Sequence, residues 1–589
     1  MEDLTPVWEL DSIFPGGSAS AELEAWLNRL AKDTGDLQKI ATGPGNTEQW
    51  RQLIDAVQDI AARLRQAAAF VFCLNAQDVN DDRARLLNGR LQQLEASLNS
   101  MMAVLDEKML EVNDADWRRL LETPELAPVA FSLDERRRNA REKMAAEQET
   151  LANDLAVDGY HGWANQYNLI AGRITIPWAR EGKEVALSIG QAFNIFADPD
   201  PAVRAAMAEK WEQAWSREAE LCASVLNHLS GFRLNLYRHR GWDDILKEPL
   251  ANNRMSAETL RVMWDTIEKN KDIFVQYLKR KKQLLGLEEL SWFDLDAPLG
   301  EVSRKYTFSQ ACRFVVEHLA TISPKMADFC AGAFQKRWVE SEDRPGKRAG
   351  AFCSGFPVSR ESRVFMTFAG SPRNVLTLAH EMGHAYHHHV LFDLPFLAQR
   401  YAMNVAETAS TFAEMAVADA AVEKAATREE KIALLDGKVR SSVSFFMDIH
   451  ARFLFETAFY ERRRRGPVGV DELNRLMIEA QQKAYRNSLD NYHAHFWCSK
   501  LHFYLTQVPF YNFPYTFGYL FSTGIYAMAR ETGAGFEERY INLLRDTGRM
   551  RVEDLAARHL GVDLTGPAFW QQAVDMAAAE AGEFLRLTE

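Results

Sequence analysis

A basic leader, a long apolar run and paired cysteines are all missing from this chain, and each absence narrows what it can be. The start, MEDLTPVWELDSIF, is acidic where a secretory signal is basic, and no apolar block follows it, so export by that route is not expected. No uncharged stretch approaches the roughly 18 to 20 apolar residues needed to cross a bilayer. The expectation is a soluble chain with no membrane partner. Its six cysteines, Cys73, Cys222, Cys312, Cys330, Cys353 and Cys498, form no CxxC pair. That pattern suits buried free thiols in a reducing cytoplasm and argues against a cysteine zinc site. Positive charge is short too: the formal net charge of −13 argues against nucleic acid as a partner, because its binders concentrate Lys and Arg to displace counterions. Neither an internal repeat of roughly 20 to 50 residues nor a low-complexity block is visible.

What is present is apolar and periodic. With 589 residues, 47% of them apolar and 14 tryptophans, the chain can bury more than one core. Apolar residues recur at three and four in AELEAWLNRLAKDTGDLQKIA near the start and in AETLRVMWDTIEKNKDIFVQYLKRKKQLLG later, so the fold class is mainly α. Gly and Pro punctuation is sparse, and the turn ADPDPAVR (197–204) suggests a soft boundary between a helical domain, 1–200, and a second domain, 201–589. A single region reads as strand. Between Gly350 and Gly370, two apolar segments flank a polar, proline-containing turn in the manner of a hairpin.

Directly after it comes TLAHEMGHAYHHH (377–389), with five histidines. Ser371 and Pro372 supply an N-cap and a first-turn proline, and Val375, Leu378, Ala379, Met382 and Tyr386 follow at helical spacing. At about 100° per residue, His380 and His384 lie on one face, one turn apart, so their imidazoles can converge on a cation. Glu381 is set to the side, where its carboxylate reaches a water at the metal without being a ligand. This is the HExxH arrangement of two ligands and one base. His387 and His388 climb away along the axis, and the HHH run is expected to be a solvated helix end favoured by the dipole's negative terminus. A metzincin-type third histidine would fall on Val390, with a required glycine at His387, so that class is excluded.

A catalytic zinc takes three protein ligands and leaves one position open. The alanine-rich segment 404–422 places Glu407, Thr411 and Glu414 on one polar helical stripe, and a carboxylate among small apolar residues asks for a partner or a metal. Spacing does not choose between Glu407 and Glu414. The aspartate that thermolysin-like enzymes place four residues beyond the ligand glutamate is here Thr411, which leaves the brace of the histidines unassigned.

The stretches GAFCSGFP, FMTFAGSPRNVLTLAHEMGHAYH and VAETAS, in this order, resemble oligoendopeptidase F and its relatives in the thimet oligopeptidase family of zinc peptidases. The opening WELDSIFPGGSASAELEAWL is similar to that family's usual start. The resemblance implies a nearly all-helical fold with a channel that admits short peptides, residues 201–589 forming the catalytic domain and a small hairpin lying beside the HExxH helix. It implies one Zn²⁺ per chain held by His380, His384 and Glu407, with Glu381 as general base. It also draws on HFYLTQVPFYNFPYTFGYLF (502–521), read by composition alone as aromatic core. There it implies His502, with Tyr511 and Tyr515 rather than Tyr519, as hydrogen-bond donors to the tetrahedral intermediate.

The expected activity is therefore hydrolysis of internal bonds in short, unstructured oligopeptides. RVFMTF (363–368) is expected to offer a strand edge, with Val364, Met366 and Phe368, to an extended substrate. A zinc carboxypeptidase on a similar helical scaffold would carry the same motif, and an inactive peptide-binding scaffold is a further alternative.

Overall fold

The computed structural model describes residues 4–40, 45–180, 182–300 and 305–589. The acidic first three residues lie outside them. Two compact units emerge, each assembled from three segments: Met1–Lys143, Ser303–Ala420 and Ile525–Val562 in the first, Met144–Val302, Ala421–Gly524 and Asp563–Glu589 in the second. Each unit draws on chain from both sides of residue 200.

The first unit opens with amphipathic helices Ala21–Ile40, Thr47–Gln77 and Asp82–Glu111. Their apolar faces bury Leu27, Trp50, Phe70 and Met101 in one core that also takes in Trp8 and Phe14. The N-terminal segment is tied down by backbone bonds: Glu9 N donates to Arg337 O at 2.8 Å and Ser341 N to Pro6 O at 2.7 Å. In the second unit, the long helix Pro201–His239 begins at the expected turn, with Asp200 as N-cap accepting from Ala202 N at 2.8 Å. The buried pair Arg204–Asp294, 2.8 Å apart, fastens that start. The stretch 257–286, expected as one helix, is two, Ala257–Lys269 and Asp272–Leu284. The break falls at Lys271, whose fully buried ammonium turns inward to Ala484 O and His450 Nδ1, each at 2.7 Å. A buried ammonium needs such partners, and Glu268 Oε2 on the preceding helix, 2.8 Å away, completes them.

Strands are few. In the second unit β1 (Thr175–Arg180) and β2 (Lys183–Ser188) form an antiparallel hairpin that sequence reading passed over. In the first unit β3 (Val339–Glu340), β4 (Phe352–Phe356) and β5 (Glu361–Phe365) form a sheet in the order β3-β5-β4. The β4–β5 hairpin matches the expectation, with Phe352 opposite Phe365 and Phe356 opposite Glu361. One expectation is corrected here: β5 is the middle strand. The N–H groups of Val364, Met366 and Phe368 already donate to Trp338 O, Glu340 O and Ser341 O at 2.9, 2.8 and 3.0 Å. The carbonyl of Met366 accepts from Lys347 Nζ at 2.9 Å. No ladder is left on that side for a substrate backbone. Both hairpin strands pack against the helix Pro372–Leu391, which carries the histidines.

Among the described residues no helix is long and apolar enough to cross a membrane. All six cysteines are free thiols, five of them buried.

Candidate metal centre

The histidine helix starts where its cap dictates. Ser371 Oγ accepts from Asn374 N at 3.2 Å and Asn374 Oδ1 accepts from Ser371 N at 3.3 Å, a reciprocal cap in front of Pro372 worth about 1 kcal/mol. Val375, Leu378, Ala379, Met382 and Tyr386 are buried, which sets the rotation of the helix and turns His380 and His384 to the same side. Their ring centroids are 5.0 Å apart.

Both Nε2 atoms converge on one carboxylate oxygen. His380 Nε2 lies 3.2 Å and His384 Nε2 3.4 Å from Glu407 Oε2. Glu407 is delivered by a turn, residues 407–409, between the helices Met403–Ala406 and Ser410–Glu423, so the single polar stripe read from the sequence is interrupted at its first member. That turn can approach because residue 383 is glycine: a Cβ there would stand 2.4 Å from Ala409 O and 2.5 Å from Ser410 Cα. Ser410 Oγ donates to Glu407 Oε2 at 2.7 Å and helps to orient it.

Glu414 has a different place. Its Oε2 is 2.9 Å from His380 Nδ1, the far side of the ring. A carboxylate on Nδ1–H holds the imidazole in the tautomer whose Nε2 lone pair faces the other donors. The two glutamates that spacing left equivalent thus divide the work, Glu407 among the donor atoms and Glu414 behind a histidine.

Glu381 is 6% exposed, and its Oε2 is buried without a hydrogen bond among the described residues. Burial pushes its carboxyl up to about 7, with the Glu407 and Glu414 charges adding to the push and His380 opposing it. Burial also acts on His380, but the hydrogen bonds to Glu407 and Glu414 outweigh it and raise that ring to about 10. His384, buried and beside His380, is lowered to about 4. Glu407 resists its burial through the His380 hydrogen bond and the two histidine charges and falls to about 2. Two imidazole nitrogens and a carboxylate oxygen within 4.8 Å of one another, with an orphaned carboxylate alongside, are a donor set that fits a zinc ion.

The HHH run is not a solvated helix end. His387 is fully buried, its Nε2 2.9 Å from Thr547 Oγ1 and its ring stacked on Tyr401 at 4.3 Å. His388 is half-buried against Ser362 Oγ at 3.4 Å and Tyr401 OH at 3.3 Å. Burial lowers His387 to about 3 and holds His388 well below the ordinary value, so both stay neutral, and the positive charge at the helix end comes instead from Arg545, whose Nη1 donates to Val390 O at 2.7 Å. Only His389 of the three is exposed.

In the second unit, His502, Tyr511 and Tyr515 gather into one cluster. The His502 and Tyr511 rings are 5.0 Å apart, and Tyr515 OH donates to Tyr511 OH at 2.9 Å. His502 Nδ1 lies 3.0 Å from Asn512 Oδ1 and 3.2 Å from Arg452 Nη1. Burial, with the Arg452 charge adding to it, lowers His502 to about 4 and keeps it neutral. Tyr511 and Tyr515 are half-buried, whereas Tyr519 is 8% exposed, stacked on Phe445 and hydrogen-bonded to Ser442 Oγ at 2.8 Å. Tyr519 belongs to the core. Arg452, Asn512 and Glu414 went unnoticed or unassigned in the sequence because no short-range pattern marks them; Gly383 lay in plain view inside HEMGH.

The sequence profile of peptidase family M3 matches residues 195–576, and that of oligopeptidase F matches residues 108–175. The chain belongs to peptidase family M3, and is a metallopeptidase acting on peptides. It is 22% identical to the group B oligopeptidase PepB of Streptococcus agalactiae, over 96% of this chain and 94% of that protein. To the oligopeptidase PepF of Bacillus subtilis it is also 22% identical, over 98% and 87%. Among solved structures, a putative peptidase from Chlamydophila abortus superposes with a TM-score of 0.86 at 20% identity, covering 99% of both chains. The oligoendopeptidase F of Enterococcus faecium does so with 0.69 at 18%, covering 96% and 97%. These likenesses agree with the mainly helical fold.

Proposed function

We propose that the chain is a zinc-dependent endopeptidase that hydrolyses internal bonds of short, unstructured oligopeptides, with one Zn²⁺ held by His380, His384 and Glu407. The observation that carries this reading is the convergence of His380 Nε2 and His384 Nε2 on Glu407 Oε2, 3.2 and 3.4 Å away, beside the orphaned oxygen of Glu381. The names of the relatives, oligopeptidase and oligoendopeptidase, support the substrate class and the internal cut.

Zinc, when bound, supplies Lewis acidity to the scissile carbonyl and to the attacking water. The residues do the rest. Glu381 takes the proton of the water and returns it to the leaving amine, a task suited to a carboxyl that burial holds near 7. Glu414 keeps His380 oriented through Nδ1. His502 and Tyr511 donate to the carbonyl oxygen as it gains negative charge, and Tyr515 orders the Tyr511 hydroxyl. Arg452 Nη1 and Asn512 Oδ1 both meet His502 Nδ1 and fix the ring; the role of donor calls for the tautomer with its hydrogen on Nε2, in which Nδ1 accepts from Arg452. Free thiols, five of the six buried, support a reducing, cytoplasmic setting.

The test pairs zinc content by mass spectrometry with cleavage of an internally quenched peptide of about ten residues, for wild type and Glu381→Gln. One zinc in both proteins with cleavage in the wild type alone is expected, and protein without zinc overturns the reading. A C-terminally amidated peptide is expected to be cut as well; if it resists, the enzyme is a carboxypeptidase.

A further inference from the structure

Six non-glycine residues among those described have positive φ: Arg254, Arg337, Arg360, Arg486, Asn487 and Phe510. Phe510, at φ 53°, is the only aromatic one, and a bulky side chain in that region is a genuine outlier. It is 2% exposed and stands immediately before Tyr511. Such strain persists only where the surroundings hold it.

The surroundings are visible. Helix Ile449–Arg463 presents Phe453, Glu456 and Tyr460 along one face. The ring of Phe510 stacks on Tyr460 at 5.5 Å and meets Phe453 edge-on at 6.1 Å. Between those two rings, Glu456 is 4% exposed and its Oε1 accepts from Phe510 N at 3.2 Å. Its Oε2 is buried with no hydrogen bond among the described residues. Burial pushes the carboxyl up to about 8 against the opposing charge of Arg233 and the hydrogen bond from Phe510 N, so its charged form is disfavoured there. The start of the same loop is fastened too. Thr506 O accepts from Tyr160 OH at 3.1 Å, Leu505 O from Arg233 Nη2 at 3.3 Å, and Thr506 Oγ1 lies 2.8 Å from His161 Nδ1.

We propose that Glu456 is a positioning residue for the reaction: by holding the Phe510 N–H it fixes the strained turn that aims the Tyr511 hydroxyl. Glu456 touches no substrate and acts through Tyr511. The inference rests on the reading of Tyr511 as a donor to the carbonyl oxygen, and the experiment separates the two.

Glu456→Leu removes the acceptor, Glu456→Gln keeps an amide oxygen in its place, and Tyr511→Phe removes the hydroxyl. The readouts are kcat and KM on the quenched peptide, zinc content, and hydrogen exchange at the Phe510 amide. The expected result is kcat about tenfold to a hundredfold lower in Glu456→Leu with KM and zinc unchanged, a Phe510 amide that exchanges faster, and near-wild-type behaviour in Glu456→Gln. In the Tyr511→Phe background, Glu456→Leu should lower kcat no further. If Tyr511→Phe slows turnover but Glu456→Leu does not, Glu456 has no positioning role. If Tyr511→Phe leaves kcat unchanged, the reading of Tyr511 fails and the positioning role falls with it. Should Glu456→Leu not fold, Glu456→Asp, which withdraws the carboxylate by one methylene, carries the same expectation.

Discussion

The candidate metal centre in the first unit and the histidine–tyrosine cluster in the second are built on opposite principles. His380 and His384 sit on one regular helix, and their separation follows from its pitch. Glu407 joins them because a glycine lets two stretches of backbone nearly touch. Tyr511 instead follows an irregular loop with a phenylalanine at positive φ, held by buried side chains from other parts of the chain. Two of the three converging side chains thus ride on regular backbone with few degrees of freedom, and the third, Glu407, on a turn pinned against it. The Tyr511 hydroxyl is instead placed by side chains that constrain the loop before it.

The sharpest way to break the comparison is Glu381→Gln, which should keep the metal and lower kcat about 10²- to 10⁴-fold, read by turnover alongside metal analysis. Tyr511→Phe should follow, with kcat about 10²- to 10³-fold lower and zinc content intact. An equal loss of metal would show that the two clusters are not separable. Glu414→Ala leaves His380 Nδ1 without its carboxylate and should weaken zinc about 10- to 100-fold, as titration against a chelator would show; unchanged affinity would strip Glu414 of its bracing role. Gly383→Ala forces Ala409 and Ser410 away and should cost about 1 to 3 kcal/mol in thermal unfolding together with weaker zinc, because Glu407 moves with that turn. Smallest of all, Tyr519→Phe loses one hydrogen bond to Ser442, about 1 kcal/mol, with kcat unchanged.

How much of this was legible depends on the distance over which each feature is decided. The cap at Ser371, the rotation of the helix and the pairing of His380 with His384 all arise within four residues and could be read directly. The β4–β5 hairpin was equally local. The status of β5 was not, because a two-residue strand, Val339–Glu340, occupies its other side and is too short to leave a pattern. The long helix expected over 257–286 breaks between Lys269 and Asp272, where the partners of Lys271 include Ala484 and His450, far away in the sequence. His387 and His388 were misread for a similar reason: the residues that cover them, Ser362, Tyr401 and Thr547, come from three separate stretches of chain.

The sequence by itself therefore determined that two imidazoles and a carboxyl group share one helix face and flank, since backbone geometry repeats every 3.6 residues whatever surrounds it. Only the tertiary structure decided which glutamate lies beside the two Nε2 atoms, which one meets His380 Nδ1, which tyrosine is core and how Phe510 is held. Those outcomes turn on burial and on contacts between residues far apart in the chain, and spacing along a sequence carries no information about what will come to lie beside it.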